Sequence, residues 1–251
     1  MLPGTGIVLT RPRDQARSLA SKIEATGGRA ILFPTLEIWA RSPSVVSREL
    51  LSAADMAIFI SANAVEFGLR FAGAGLPAHL LIGAIGQATA MALREQGYGN
   101  IIVAQAGFDS ESLLATLQMQ AVSGERIVIF RGVGGRETLR SVLCQRGAKV
   151  EYIECYERRR PDVSAQELNQ LLSRDDAAAI HVLSRETLEN FCNMIGPSAV
   201  ETYRRKPLFA PHPAVLEGAR ILGFSDVVLN GFSDDGVIEA LLKRFGTSSD
   251  V

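Results

Sequence analysis

Cysteine is scarce in this chain. The three present, Cys144, Cys155 and Cys192, are odd in number and far apart, and no CxxC pair marks a metal or redox site. They read as thiols of a reducing compartment, and no metal site is expected. Net charge is nearly absent too, at −1 with a pI near 6.3, which argues against a general nucleic-acid binder and its basic stripe. Lysine occurs four times against twenty-two arginines. Genomic base composition accounts for that bias at least as well as anion recognition does, so it carries little weight. No apolar run is long enough to span a bilayer, and Met1 to Gly6 lack the basic and apolar regions of a secretory signal. These absences lead to the expectation of a cytoplasmic protein with no membrane or nucleic-acid partner.

What is present is ordinary for a globular protein: 251 residues, 47% hydrophobic and 21% charged, enough for one large or two modest cores. The most informative stretch runs from Ile127 to Pro161. The strand pattern Ile127-Val128-Ile129-Phe130 enters a turn, Gly132-Val133-Gly134-Gly135. A helix pattern with Leu139, Val142 and Leu143 on one face follows, and then a β-prone run from Val150 to Tyr156. Glycines at such a corner bare backbone amides near a helix start, where the dipole favours anions. Arg131 and Arg136 flank them.

A shift of 120 residues lays the start of the chain on this stretch without a gap: Ile7 on Ile127, Arg11 on Arg131, Leu19 on Leu139, Gly27 on Gly147. The two stretches read as copies of one βαβ element. The sequel of each copy also matches loosely, strand for strand and helix for helix. Met56 to Ile60 answers to Ala178 to Leu183, Leu80 to Ile85 to Leu208 to Ala210, and Ile101 to Val103 to Val227 to Leu229. Each half then closes on a helix, Leu113 to Leu117 or Val237 to Leu242, with Asp109-Ser110 or Ser233-Asp234-Asp235 as caps. Alternating strands and helices predict an α/β protein with parallel sheets. Ligands in such sheets sit beyond the carboxyl ends of the strands, so the corners at Thr10, Ser61, Gly86, Ser110, Arg131, Ser184, His212 and Asp234 form the candidate surface. Periodicity alone suggests two consecutive domains divided near residue 123.

Taken in order, several motifs resemble the uroporphyrinogen-III synthase family across nearly the whole chain. They are Thr10-Arg11-Pro12, Phe33-Pro34-Thr35-Leu36-Glu37-Ile38, Phe59-Ile60-Ser61-Ala62-Asn63-Ala64-Val65, Gly86-Gln87-Ala88-Thr89-Ala90, Ser110-Glu111-Ser112-Leu113, Arg131 to Glu137, and Tyr156-Glu157-Arg158. Each is weak alone; their order and spacing carry the likeness. The second repeat departs most, with Arg185-Glu186 and Pro211-His212-Pro213 where hydroxyl-rich corners would match. The resemblance implies two doubly wound parallel-sheet domains of similar topology, discontinuous in sequence. One would comprise residues 1–36 with 161–251 and the other residues 39–157, joined by a two-stranded linker near 36–39 and 156–161.

The same resemblance implies an enzyme, a hydro-lyase that needs no cofactor. It would close the linear tetrapyrrole hydroxymethylbilane with loss of water and inversion of ring D, giving uroporphyrinogen III. It would act as a monomer in a cleft between domains, with at most transient contact with the preceding or following pathway enzyme. Because the substrate also closes unaided without inversion, the task is one of orientation. Tyr156 would be the catalytic proton donor or hydrogen bond at the departing hydroxyl. Thr10, Arg11, Ser61, Asn63, Gly86, Thr89, Arg131, Gly134, Gly135, Arg136 and Ser184 would hold the substrate's carboxylates. Each has a plainer reading beside it. Tyr156 could be a packing aromatic, the glycines could only permit a turn, Thr10 and Ser61 could be caps, and Arg11 could pair with a nearby acid. His79 and His181 read as structural, and His212 as a loop histidine more than a ligand. A non-catalytic sensor of a small polyanion is the alternative function. A nucleotide enzyme fits poorly without the Lys-Ser/Thr of a P-loop.

Overall fold

The computed structural model describes residues 1–42, 45–73, 75–104, 109–172 and 177–246. It divides into two compact units. The first combines Met1–Glu37 with the chain from Arg159 onward, and the second is Ile38–Arg158.

The first unit has one five-stranded sheet in the order β11-β10-β9-β1-β2, made of β1 (Gly6–Leu9), β2 (Arg29–Leu32), β9 (Ala177–His181), β10 (Leu208–Ala210) and β11 (Val227–Leu229). Every recorded pairing in it is parallel. Parallel strands covered on both faces need continuous apolar runs rather than alternation, and Ile7-Val8-Leu9 is such a run, entirely buried. Val8, Ile180 and Leu208 point to one side, into a core with Leu188 and Phe191 of α9 (Arg185–Tyr203) and Leu216 of α10 (Pro213–Ile221). Ile7, Leu9, Ala179 and Phe209 point to the other, against Leu19 and Ile23 of α1 (Arg13–Ala25) and Val237 and Leu241 of α11 (Asp234–Phe245). A short helix, α8 (Ala165–Leu172), adds Leu171 to the first of these cores.

The second unit has a six-stranded sheet in the order β3-β8-β7-β4-β5-β6. Its strands are β3 (Glu37–Ala40), β4 (Met56–Phe59), β5 (Leu81–Ala84), β6 (Ile101–Val103), β7 (Arg126–Gly132) and β8 (Lys149–Arg159). Met56 and Ile58 with Ile127 and Ile129 pack on one face, toward α5 (Ser110–Leu114), α6 (Leu117–Gln120) and α7 (Thr138–Gln145). Ala57, Phe59, Val128 and Phe130 pack on the other, toward α2 (Val45–Ala53), α3 (Ala62–Ala72) and α4 (Gln87–Glu95). The Phe59 and Phe130 rings stack at 4.5 Å with their planes nearly parallel. Both are fully buried, worth about 1.5–3 kcal/mol apiece by area.

The division near residue 123 that periodicity suggests is not the one observed. The βαβ copy β1-α1-β2 pairs with β9 of the other repeat, Leu9 registering with His181. The copy β7-α7-β8 pairs with β4, Phe130 registering with Phe59. Each copy therefore completes its sheet with the tail of the opposite repeat. Hydrophobic period identifies a strand but not its partner, because parallel pairing is made by residues distant in sequence. The single closing helix expected at Leu113 to Leu117 is also two short ones. Thr116 caps the break, its hydroxyl donating to the Leu113 carbonyl at 2.8 Å.

Candidate functional site

The carboxyl ends of β4 and β7 in the second unit bring the Ser61 and Tyr156 motifs together. After Phe59 the chain turns at Ser61, which N-caps α3. Its backbone is extended and its Oγ accepts from the Ala64 amide at 3.0 Å, meeting one of the helix's unpaired donors. The same Oγ lies 3.2 Å from Tyr156 Oη. Tyr156 lies within β8, registered with Gly132, and is 6% exposed. Its ring leans on the bare face of Gly132, where a Cβ would come within 2.6 Å of Tyr156 Cε2. Phe67 covers it from α3, ring centres 5.8 Å apart. The carbonyl of Tyr156 accepts from the Val133 amide at 2.9 Å. Ring and backbone are both held by these neighbours. Asn63 sits in the first turn of α3, Gly86 is the N-cap of α4 in an extended conformation, and Thr89 is buried in that helix's first turn.

The Gly-rich turn is organised by Arg131 from within. Its guanidinium is 3% exposed. Nε donates to the Gly132 carbonyl at 3.2 Å, one terminal nitrogen to Glu137 Oε1 at 3.0 Å, and the other to the Gly134 carbonyl. Its Cζ also lies over the Tyr152 ring, 4.2 Å from the ring centre. Tyr152 Oη in turn donates to Glu137 Oε2 at 2.8 Å. That bond first, and Arg131 after it, holds the Glu137 carboxyl below its ordinary value. Burial and the Glu137 acceptor push the Tyr152 phenol up to about 12. Gly134 and Gly135 have φ of 74° and 103°, a region open to glycine, and the Gly134 amide faces Glu154 Oε1 at 3.4 Å. Helix α7 starts only at Thr138. The turn is thus a braced loop ahead of the helix, with Arg131 and one amide engaged internally. Arg136 is exposed, and with Arg131, Tyr152, Ser110, Ile60 and Ile85 it lines a cavity of about 280 Å³. A cavity of about 860 Å³ beside β6, α5 and α6 is lined largely by aliphatic groups and includes none of the expected site residues.

In the first unit the expected residues are each engaged by neighbours within the fold. Thr10 is fully buried and its hydroxyl donates to the His181 carbonyl at 3.0 Å. Arg11, 8% exposed, pairs with Asp234 Oδ1 at 2.7 Å. Burial works to raise the Asp234 carboxyl, but the bonds from Arg11 and Ser18 outweigh it and leave it lowered. The cap of α11 is Ser233, which accepts from the Gly236 amide at 3.1 Å, rather than the aspartates. Ser184 and Thr187 form a reciprocal capping box at the start of α9. His212 caps α10, its Nδ1 accepting from the Ala214 amide at 3.1 Å.

Sequence reasoning passed over one feature here. His181 is fully buried, and neither of its ring nitrogens has a hydrogen-bond partner among the described residues; Arg11 Nε and Asn230 Oδ1 are in the same condition. Strand alternation carries His181 onto the side of Ala179, whose core neighbours come from α1 and α11. Burial first, and the Arg11 charge second, lower its pKa to about 3. A lone histidine in an apolar run gives no warning of this. Glu137 and Tyr152 were equally silent, since their roles depend on β8 lying beside β7.

Among the described residues no helix is long and apolar enough to cross a membrane, and no group of His, Cys, Asp and Glu has metal-binding geometry. A family model described as uroporphyrinogen-III synthase HemD matches residues 17–239. The uroporphyrinogen-III synthase of Salmonella typhimurium is 30% identical over 243 residues, covering 94% of this chain and 99% of its own length. That of Escherichia coli is 29% identical over 250 residues, covering 94% and 99%. Among solved structures, the uroporphyrinogen-III synthetase of Helicobacter pylori superposes with a TM-score of 0.66 at 16% identity, over 96% of this chain and 99% of that one. A mutant uroporphyrinogen III synthase of Thermus thermophilus gives 0.60 at 19%, over 95% and 99%. These two likenesses concern the fold alone.

Proposed function

Because the chain belongs to the uroporphyrinogen-III synthase family, we propose that it is a cofactor-independent hydro-lyase of porphyrin biosynthesis. It closes hydroxymethylbilane to uroporphyrinogen III with loss of water and inversion of ring D. The observation that carries the catalytic assignment is the Tyr156 phenol, fixed by Gly132 and Phe67 and bonded to the helix-capping Ser61 at 3.2 Å.

Breaking the bond between the hydroxymethyl carbon and its oxygen leaves an electron-deficient methylene pyrrole, and protonation of the departing oxygen assists it. Tyr156 is the donor in this reading. A phenol is a modest acid, so it contributes a factor in rate rather than the whole acceleration. The larger part comes from holding a flexible chain in a near-attack geometry that favours inversion over direct closure. Exposed Arg136 and the starts of α3 and α4 are the groups we assign to the substrate's carboxylates in the second unit. Arg131 supports them by bracing the turn. The protein works as a cytoplasmic monomer, meeting neighbouring pathway enzymes at most transiently.

The test is a coupled assay on fresh hydroxymethylbilane with analysis of the product isomers. The type III isomer formed above the spontaneous rate is expected. Only type I, at the spontaneous rate, would leave a binding protein for a small polyanion as the surviving reading.

A further inference from the structure

We propose that Ser61 is a positioning residue for Tyr156, donating a hydrogen bond to the phenol oxygen as the phenol releases its proton. This deepens the function proposed above and rests on it.

The inference follows from counting donors and acceptors around one oxygen. A serine hydroxyl has one proton to give and two lone pairs. Ser61 Oγ uses one lone pair on the Ala64 amide at 3.0 Å and stands 3.2 Å from Tyr156 Oη. No other partner of this hydroxyl is recorded among the described residues. Two arrangements therefore interconvert when the two hydroxyls turn, each about its own C–O bond. In the first, Tyr156 donates to Ser61, which suits a resting phenol because the phenol is the better acid. In the second, Ser61 donates to Tyr156, and the phenol proton is free to point at an acceptor outside the pair.

The second arrangement is the one the reaction needs. As the carbon–oxygen bond of the hydroxymethyl group breaks, its electron pair goes to oxygen, which takes the phenol proton and leaves as water. The negative charge that develops on Tyr156 Oη then faces the Ser61 proton. Ser61 is itself polarised by an amide at the N-terminus of α3, an eleven-residue helix. When the new carbon–carbon bond forms, the attacked pyrrole carbon loses a proton to restore its aromatic ring, and the phenolate recovers one. The sum is loss of one water, with no further reactant. A serine used only as a cap or as a carboxylate contact would act independently of Tyr156, so the two roles are separable by experiment.

The experiment is a double-mutant cycle on kcat and KM, with Ser61→Gly and Ser61→Thr each made in the wild-type and Tyr156→Phe backgrounds. Glycine is tolerated at an N-cap, so Ser61→Gly keeps the helix entry while removing the donor; threonine keeps both. Circular dichroism and the melting curve follow folding. In the wild-type background, Ser61→Gly is expected to lower kcat about ten- to a hundredfold, the worth of one hydrogen bond to a charged group, with KM little changed. Ser61→Thr should stay close to wild type. In the Tyr156→Phe background, Ser61→Gly should cost less than about twofold. The same loss of kcat in both backgrounds, or no loss in either, would overturn the proposal. So would wild-type turnover by Tyr156→Phe alone, whereas failure of the family function itself shows separately, as type I product from the unmodified protein.

Discussion

Replacing His181 with leucine should remove an acid sensitivity confined to the first unit. In the folded protein the imidazole is fully buried, with no hydrogen-bond partner among the described residues, and it feels the charges of Arg11 and Asp234. Its pKa falls from 6.5 to about 3, burial contributing most and Arg11 next, while Asp234 works in the opposite direction. The folded state thus refuses a proton that the unfolded chain accepts, so stability is fully present above 6.5 and is lost as pH falls from there toward 3. At about pH 5 the unfolded chain holds that proton nearly completely, and the deficit comes to ~2 kcal/mol at 1.36 kcal/mol per unit. In urea this lowers the midpoint by about 1 M for an m-value typical of a small domain. Hydrogen exchange of amides in β1, β9 and β10 during the urea titration follows the first unit by itself. His181→Leu exchanges an unpartnered polar ring for an apolar group, so it should be neutral or stabilising near pH 7.5, and its own loss between pH 7.5 and 5 should be smaller than wild type's by that same ~2 kcal/mol. If wild type and variant lose equal stability over this interval, the imidazole takes up its proton within the fold, and the reasoning from burial is wrong.

The remaining expectations concern named contacts. Asp234→Asn leaves the nearly buried Arg11 guanidinium facing a neutral amide, which should cost about 2–3 kcal/mol in chemical denaturation, somewhat less than for a fully buried pair; an unchanged midpoint would mean that solvent already screens it. Because the Asp234 carboxyl is held below its ordinary 3.8, the pair's contribution should persist above that pH and fade only beneath it. Tyr156→Phe should slow turnover on the order of a hundredfold with KM preserved, and wild-type turnover would remove the phenol from the mechanism. Gly132→Ala drives a methyl group to within 2.6 Å of the Tyr156 ring. Displacing the phenol should lower kcat about as far as Tyr156→Phe does, and full activity would show that the ring has room to yield.

Much of the fold is legible in the chain because its strands are short apolar runs punctuated by turn residues. Ile101–Val103 and Leu208–Ala210 appear where the pattern puts them, and the 120-residue shift survives as two sheets whose matched strands lie in the same order. Two short helices, α2 and α8, have no counterpart in the reading, whereas β3 falls at the linker strand expected near 36–39. Strand partnership is the deeper omission. Ile7-Val8-Leu9 would read identically whether its neighbour were Met56 to Phe59 or Ala177 to His181, because both offer small and aliphatic side chains to the same faces. Only the motif order, set against a known family, implied the discontinuous arrangement.

The site was legible in its residue types and not in their allegiances. Arg131 and Arg136 flank the same glycines and look equivalent in sequence, yet one is 3% exposed in its side chain and bound on three sides, while the other lines a cavity from the surface. The difference arises from Tyr152 and Glu137. β8 places Tyr152 beneath the guanidinium, and Glu137 closes the bridge between the two. Neither residue belongs to a motif that suggests binding. The same holds for Thr10 and Ser61, two hydroxyls that each follow the carboxyl end of a strand. Thr10 gives its proton to a backbone carbonyl inside the sheet, where it strengthens the fold. Ser61 instead lies within hydrogen-bond distance of a phenol, because Gly132 lacks the Cβ that would push that phenol away. An absent methyl group on one strand therefore decides what a hydroxyl on the next can do. A substitution at Gly132 should accordingly be felt in the coupling between Ser61 and Tyr156 before it is felt in substrate affinity.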